Sequence, residues 1–210
     1  DVIPANATAA NPYIVLVMPG VYAETVNIVR DGVQLIGIGM PTISAPADDH
    51  TLIISAQLGT IPLRCLLEGF LITNTYVNRA CVRVTGGAAS TVGNDALGLQ
   101  LRDCVLQANA AAGNRPLWAT AVGLIEVLGG KLEGVGNGGI SLLLIEEVTT
   151  LRIRDCDIPV NVSLRYDTGE AEPVLGGVVY EIHNCQNIGS VGSLVPILSF
   201  EGLGDGALVV

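Results

Sequence analysis

A short phrase recurs along this chain and confines it to very few folds. An apolar residue, a polar one, another apolar one and two small or polar residues lead to Cys or Gly, and an apolar residue follows. It reads Leu101-Arg102-Asp103-Cys104-Val105-Leu106, then Val127-Leu128-Gly129-Gly130-Lys131-Leu132. It returns as Ile153-Arg154-Asp155-Cys156-Asp157-Ile158 and Ile182-His183-Asn184-Cys185, with a weaker copy at Leu66-Leu67-Glu68-Gly69-Phe70-Leu71. The small residues Gly69, Cys104, Gly130, Cys156 and Cys185 stand 35, 26, 26 and 29 residues apart. A repeat of that length with β-type alternation inside it marks a stacked solenoid, in which each unit buries its apolar face only by stacking on its neighbours.

Strands stacked in parallel lie about 4.8 Å apart, so equivalent residues of successive coils form ladders along the axis. The alignment predicts an inward aliphatic ladder of Leu66, Leu101, Val127, Ile153 and Ile182, and a second interior ladder at the small slot. It also predicts an outward ladder of Cys65, Gln100, Glu126, Arg152 and Glu181. In-register stacking then sets Arg152 between two glutamates, worth a few tenths to about 1 kcal/mol per exposed pair. The expected fold is all-β, a single-stranded right-handed parallel β-helix of about six to eight coils.

Composition agrees. Half of the 210 residues are hydrophobic, 14% are charged and 26 are Gly. That mix suits short buried strands joined by tight turns, and a disordered chain needs the opposite balance. Strand-like runs extend from Ile14–Val17 to Val195–Phe200, with loops at Pro46–His50, Gly86–Asp95, Ala108–Arg115, Gly134–Gly139 and Thr168–Pro173. No stretch reads as an amphipathic helix, and Asp1–Ala10 is the best candidate for a short capping turn. With no linker, residues 1–210 read as one domain. The start on Asp1 without Met suggests a processed product or the ordered part of a longer polypeptide.

The formal charge of −10, with Lys131 the single lysine, argues against nucleic acid as a partner, and against anionic membranes and polyuronates unless a divalent cation bridges the charges. No apolar run approaches membrane-spanning length, and no signal peptide is visible. Five cysteines at 65, 81, 104, 156 and 185 form no CxxC pattern. They read as buried free thiols rather than as a disulfide framework or a zinc site. No cofactor is expected.

One segment carries a resemblance. Tyr13-Ile14-Val15-Leu16-Val17-Met18-Pro19-Gly20-Val21-Tyr22-Ala23-Glu24-Thr25-Val26-Asn27-Ile28 resembles the opening coil of right-handed parallel β-helix proteins of the pectin-lyase-like superfamily, pectin methylesterases in particular. Val33-Gln34-Leu35-Ile36-Gly37-Ile38-Gly39 and Pro41-Thr42-Ile43 continue the likeness. The resemblance implies the fold, with Pro19-Gly20 as a turn, Tyr22 as a packing residue and Glu24 as structural. The Gln-Asp-Thr and Asp-Phe-Ile-Phe-Gly segments that supply catalytic aspartates in pectin methylesterases do not occur. Neither does the Gly-His-Gly of polygalacturonases; Asn74-Thr75-Tyr76, Asp48-Asp49-His50 and Arg152-Ile153-Arg154 match their other motifs only superficially.

Each candidate for chemistry has two readings. Glycoside hydrolysis needs two carboxylates about 5–9.5 Å apart. Asp103 and Asp155 share a slot two coils apart, with Asp157 beside them; alternatively all three are turn residues bonding local backbone. Asp48 and Asp49 are a candidate cation site with His50 as a general base, or solvated acids in a Pro-rich loop. His183, with Arg102 and Arg154, forms a basic outward column. Trp118 beside Arg115 suits stacking on a sugar or anchoring a partner, and equally the filling of an enlarged coil. Leu67 and Leu128 fall in a predicted outward slot and point to an interface.

With no assembled catalytic set, the chain reads as a non-catalytic structural or binding module. The expected setting is a phage virion component of capsid-decoration, fibre or tailspike type, virion-borne or extracellular, homotrimeric and in contact with other virion proteins. The alternatives are a carbohydrate-active enzyme acting on a glycan and a bacterial surface adhesin domain.

Overall fold

A computed structural model describes residues 11–30, 32–55, 63–86, 97–109, 113–134, 142–158, 161–165, 179–186, 198–201 and 207–209. The fold is all-β, and no helix occurs among these residues. The first coil contributes β1 (Tyr13–Val17), β2 (Val21–Ala23) and β3 (Val26–Ile28), and the second β4 (Val33–Gly37), β5 (Thr42–Ser44) and β6 (Leu52–Ser55). The third holds β7 (Leu63–Glu68), β8 (Leu71–Asn74) and β9 (Ala80–Thr85). Next come β10 (Leu97–Arg102), β11 (Val105–Ala108) and the long β12 (Arg115–Leu128), then β13 (Lys131–Gly134) and the long β14 (Leu142–Arg154). The series ends with β15 (Asn161–Arg165), β16 (Val179–His183), β17 (Leu198–Glu201) and β18 (Ala207–Val209).

Among the described residues every strand pairing is parallel, and together these pairings make three ladders consistent with a β-solenoid. The first runs β1-β4-β7-β10-β12-β14, continuing through β16 to β18. The second is β2-β5-β8-β11-β13, extended by bridges from Lys131 to Asp157 and from Asp157 to Gln186. The third is β3-β6-β9-β12-β14-β15-β17. β12 and β14 each cross from the third ladder of one coil to the first ladder of the next, which joins those two ladders into one sheet.

The interior is a set of aliphatic columns. In the first ladder Val15, Leu35, Leu67, Leu101, Val127, Ile153 and Ile182 stack in register. In the second, Ile43, Ile72, Leu106 and Leu132 do the same and are all buried. Burying each such side chain contributes about 1.5–3 kcal/mol relative to exposure.

The expected ladder needs a one-residue correction in its first member. Leu67, not Leu66, pairs with Leu101 and is fully buried, so the expected outward Leu67 interface position is a core position. Cys65, expected outward, is buried opposite Leu99, and the outward column runs Gln34-Leu66-Gln100-Glu126-Arg152-Glu181. The reason lies in the bend after the strand, which has two special positions rather than one. The first adopts positive φ and holds Gly69, Asp103, Gly129, Asp155 and Asn184. Left-handed backbone is open to Gly and tolerated by Asp and Asn, whose short polar side chains bond locally. The second faces inward and holds Phe70, Cys104, Gly130, Cys156 and Cys185; Phe70 is fully buried where other coils carry a smaller group. Gly69 therefore belongs with Asp103, not with Cys104.

The expected charge ladder is present. Arg152 lies 3.1 Å from the Glu126 carboxylate and 3.3 Å from that of Glu181, and Arg154 lies 2.8 Å from Glu181. Gln100 donates to Glu126 at 2.6 Å. The expected capping turn over residues 1–10 lies outside the described residues.

Candidate functional site

The bends between the second and third ladders build a polar clamp that positions a cluster on the outer wall. Asn74, at the end of β8, is almost fully buried. Its Nδ2 donates to the Asp49 carbonyl at 2.8 Å, to Thr51 Oγ1 at 3.1 Å and to the Ala80 carbonyl at 3.3 Å. Its Oδ1 accepts from the Tyr76 N–H at 2.8 Å. Asn114, in the next coil, donates to the Asn74 carbonyl at 2.7 Å. A buried amide with its bonds made fixes the chain around it, because leaving any of them unmade costs about 1–3 kcal/mol. The loops so fixed carry His50, Arg79 and Arg115 on three successive coils.

His50 is buried, and its Nδ1 accepts from the Ala80 N–H at 2.8 Å, so the neutral ring carries its proton on Nε2. Burial holds its pKa down at about 4, reinforced by the Arg83 charge and, less strongly, by Arg79 and Arg115; Asp49 opposes. The ring meets Trp118 edge-on at 5.8 Å between centroids. Trp118 lies between buried Leu117 and Ala119 on β12 and so faces outward, half-buried. The Arg83 guanidinium lies 3.9 Å from the indole centroid and that of Arg115 4.5 Å from it. Arg83 reaches the ring because it is the in-register partner of Trp118 on β9. Asp48 pairs with Arg79 at 2.9 Å, and Asp49 accepts from the His50 N–H at 2.7 Å.

Trp118 and Arg115 thus lie together on the wall rather than in an enlarged core, and His50 and Arg83 join them. Arg83 was not anticipated; the signal for it is the in-register match of Val82-Arg83-Val84 to Leu117-Trp118-Ala119. Asp48 and Asp49 each have a partner in the same loop cluster. Among the described residues no group of three or more His, Cys, Asp or Glu converges on one point.

The other carboxylates occupy backbone-determined places. Asp103 and Asp155 hold left-handed turn positions, with φ of 49° and 56°, and both are exposed. Gly129 stands between them in the stack, so they lie two rungs, about 10 Å, apart. Asn184 donates to Asp155 Oδ1 at 2.6 Å, and Asp103 Oδ1 lies over Gly129. Asp157 pairs as a bridge between Lys131 and Gln186. Asp103 and Asp155 thus occupy turn positions and Asp157 a ladder position. Leu128 shares the outward column of Arg102, Arg154 and His183 and is half-buried.

A second feature is an apolar wall. Ile14, Leu16 and Met18 on and after β1 are 53–61% exposed, and Val21 is 78% exposed. Ile38 and Met40 in the next coil add 43% and 50%. Ile36 and Leu66, both half-buried, continue the outward face across the following rungs.

The thiols plug carbonyls. The Cys104 thiol has the Arg102 and Leu67 carbonyls within hydrogen-bonding reach of its single S–H, Cys156 those of Arg154, Gly129 and Val127, and Cys185 those of His183 and Ile153. Burial pushes Cys104 up to about 11 and Cys156 up to about 12. These are inert thiols, not nucleophiles. All five cysteines are free.

Among the described residues no helix is long and apolar enough to cross a membrane. Comparison with protein-family models, with curated proteins and with solved structures found no match.

Proposed function

We propose that this chain is a right-handed, single-stranded parallel β-helix, akin to the pectin-lyase-like superfamily, that serves as a non-catalytic structural or binding module. Its role is assembly: the outer wall of its first coils packs against further copies of the same chain, as a homotrimer, within a virion of the phage type. The handedness rests on a general rule, since parallel crossover connections are right-handed in about 98% of cases. The virion setting, in contact with other virion proteins or outside the cell, rests on analogy with β-helices that act as tailspikes, fibres and capsid-decorating proteins.

The exposed row of Ile14, Leu16, Met18, Val21, Ile38 and Met40 carries the assembly reading. Six large apolar side chains exposed on two adjacent coils are the kind of surface that marks an interface. None is charged, which suits contact with a second copy of a chain whose net charge is −10.

The test is the double substitution Ile14→Ser with Leu16→Ser, read by light scattering and far-UV circular dichroism. Both residues face outward, so the solenoid stays folded while the assembled form dissociates. An assembled form of unchanged mass would refute this face as the interface.

A further inference from the structure

We propose that Cys156 and Cys185, stacked on adjacent rungs at the bend after the first ladder, form a dithiol site that a small disulfide oxidant closes into a covalent staple between their coils.

The register sets the two residues directly opposite. Arg154 pairs with His183 before them and Asp157 bridges to Gln186 after them, with the same offset on both sides. Inter-coil hydrogen bonds hold that register, from the Asp155 N–H to the His183 carbonyl at 3.1 Å and from the Gln186 N–H to the Cys156 carbonyl at 3.0 Å. Rungs lie about 4.8 Å apart, inside the roughly 4.4–6.8 Å between Cα atoms that a disulfide spans. The side chains also point alike. Cys156 Sγ lies 3.0 Å from the Arg154 carbonyl and Cys185 Sγ 3.2 Å from that of His183, each two residues back. Cys185 Sγ also lies 3.7 Å from the Ile153 carbonyl, on the rung of Cys156. The thiols are close enough for each to shift the proton affinity of the other.

The other cysteines are placed differently. Gly130 stands between Cys104 and Cys156, which puts those two about 10 Å apart. Cys65 lies opposite Leu99 on the first ladder, and Cys81 is on the third. The site is separate from the apolar wall of the first coils and independent of the assembly reading.

Cys185 is half-buried between exposed Asn184 and Gln186, so a reagent reaches it. Its thiolate attacks one sulfur of a low-molecular-weight disulfide such as oxidised glutathione, which forms a mixed disulfide and releases one glutathione thiolate. Cys156 then attacks the Cys185 sulfur. The S–S bond between the coils forms as the second glutathione leaves and takes the Cys156 proton. Two cysteines are oxidised and one oxidised glutathione is reduced to two thiols. Cys156 ionises too little to react with reagents in solution, but here the partner sulfur is one rung away and the encounter is intramolecular. Directly stacked Cβ atoms lie farther apart than the roughly 3.5–4.5 Å of an unstrained disulfide. Closure therefore draws the rungs together slightly and leaves a bond that small thiols reduce readily.

The reduced full chain is incubated with oxidised glutathione at about pH 8 without denaturant. Its remaining thiols are then alkylated with iodoacetamide in urea and counted by mass spectrometry. Trypsin cuts after Arg154 and Arg165 and no Lys or Arg follows, so residues 155–165 carry Cys156 and residues 166–210 carry Cys185. We expect free thiols to fall from five to three, with these two peptides joined within one chain, and dithiothreitol to restore all five. Cys156→Ala should stop at glutathione on Cys185, and Cys185→Ser should leave every remaining thiol free. A parent chain that keeps five thiols, holds a stable mixed disulfide on Cys185, or is joined through Cys185 to a second chain would overturn the proposal.

Discussion

Replacing Gly130 by Ala tests the stacking of the coils at a single atom. Gly130 sits in the left-handed region at φ 85°, where an alanine costs about 1–2 kcal/mol. Its added Cβ would collide with the Cys104 carbonyl oxygen of the preceding coil and stand 2.8 Å from the Cys104 nitrogen. Backbone cannot swing aside as a side chain can, so the two rungs must part. Two inter-coil hydrogen bonds lie at that point, from the Lys131 N–H to the Cys104 carbonyl at 2.9 Å and from the Asp157 N–H to the Gly130 carbonyl at 3.1 Å. Losing them adds about 1 kcal/mol each. The expected total is about 3–4 kcal/mol, a large part of the 5–15 kcal/mol typical of a domain.

Gly98 is the control. A Cβ there meets Arg64 Cγ at 3.9 Å and Leu124 Cβ at 4.0 Å, ordinary contacts, and its φ lies outside the left-handed region. Gly98→Ala should be neutral or stabilise by up to about 1 kcal/mol through the unfolded chain. Urea denaturation followed by circular dichroism reads both. A Gly130→Ala protein within about 1 kcal/mol of the parent would refute the register of the stack.

Three further outcomes are expected. Leu67→Ala should cost about 2–5 kcal/mol in urea denaturation and Leu128→Ala under about 1 kcal/mol, since the first fills the core and the second lies on the wall; equal costs would contradict the corrected register. His50 ordinarily titrates at 6.5 and here at about 4, so the unfolded chain binds more protons between those values and stability falls as pH drops through that window. The loss, absent above about 6.5 and complete below about 4, is capped at about 3 kcal/mol; His50→Gln should remove that component of the pH dependence, and an unchanged profile would exclude it. Thiol titration at pH 8 should find Cys185 the first to react, because it is the one cysteine not fully buried, with all five reacting in urea; rapid reaction of Cys104 or Cys156 in the native protein would contradict their burial.

The solenoid was legible because parallel stacking forces chemically similar residues into columns, and columns appear in sequence as a repeat. Glu126, Arg152 and Glu181 fell where the repeat put them. The misreading at Leu66 and Leu67 arose because glycine satisfies both special positions of the bend. Gly129 and Gly130 are adjacent and fill one each, so Gly69 alone could be aligned with either. Only the fully buried Phe70 settles the choice. Trp118 and Arg115 were found together because they are neighbours in the chain. Arg83 escaped notice because its tie to Trp118 runs across the ladder and needs the register to the residue. The apolar wall was hidden differently: Tyr13-Ile14-Val15-Leu16-Val17-Met18 is apolar at every position, and such a run reads alike whether both faces are buried or one meets a partner.

Assembly through that wall is the central claim, and the solution mass of the chain by light scattering at low and high salt tests it most directly. The account predicts a trimer that persists at high salt, since an apolar contact is not screened and the repulsion between copies at −10 each weakens. A monomer at both salt concentrations would contradict it.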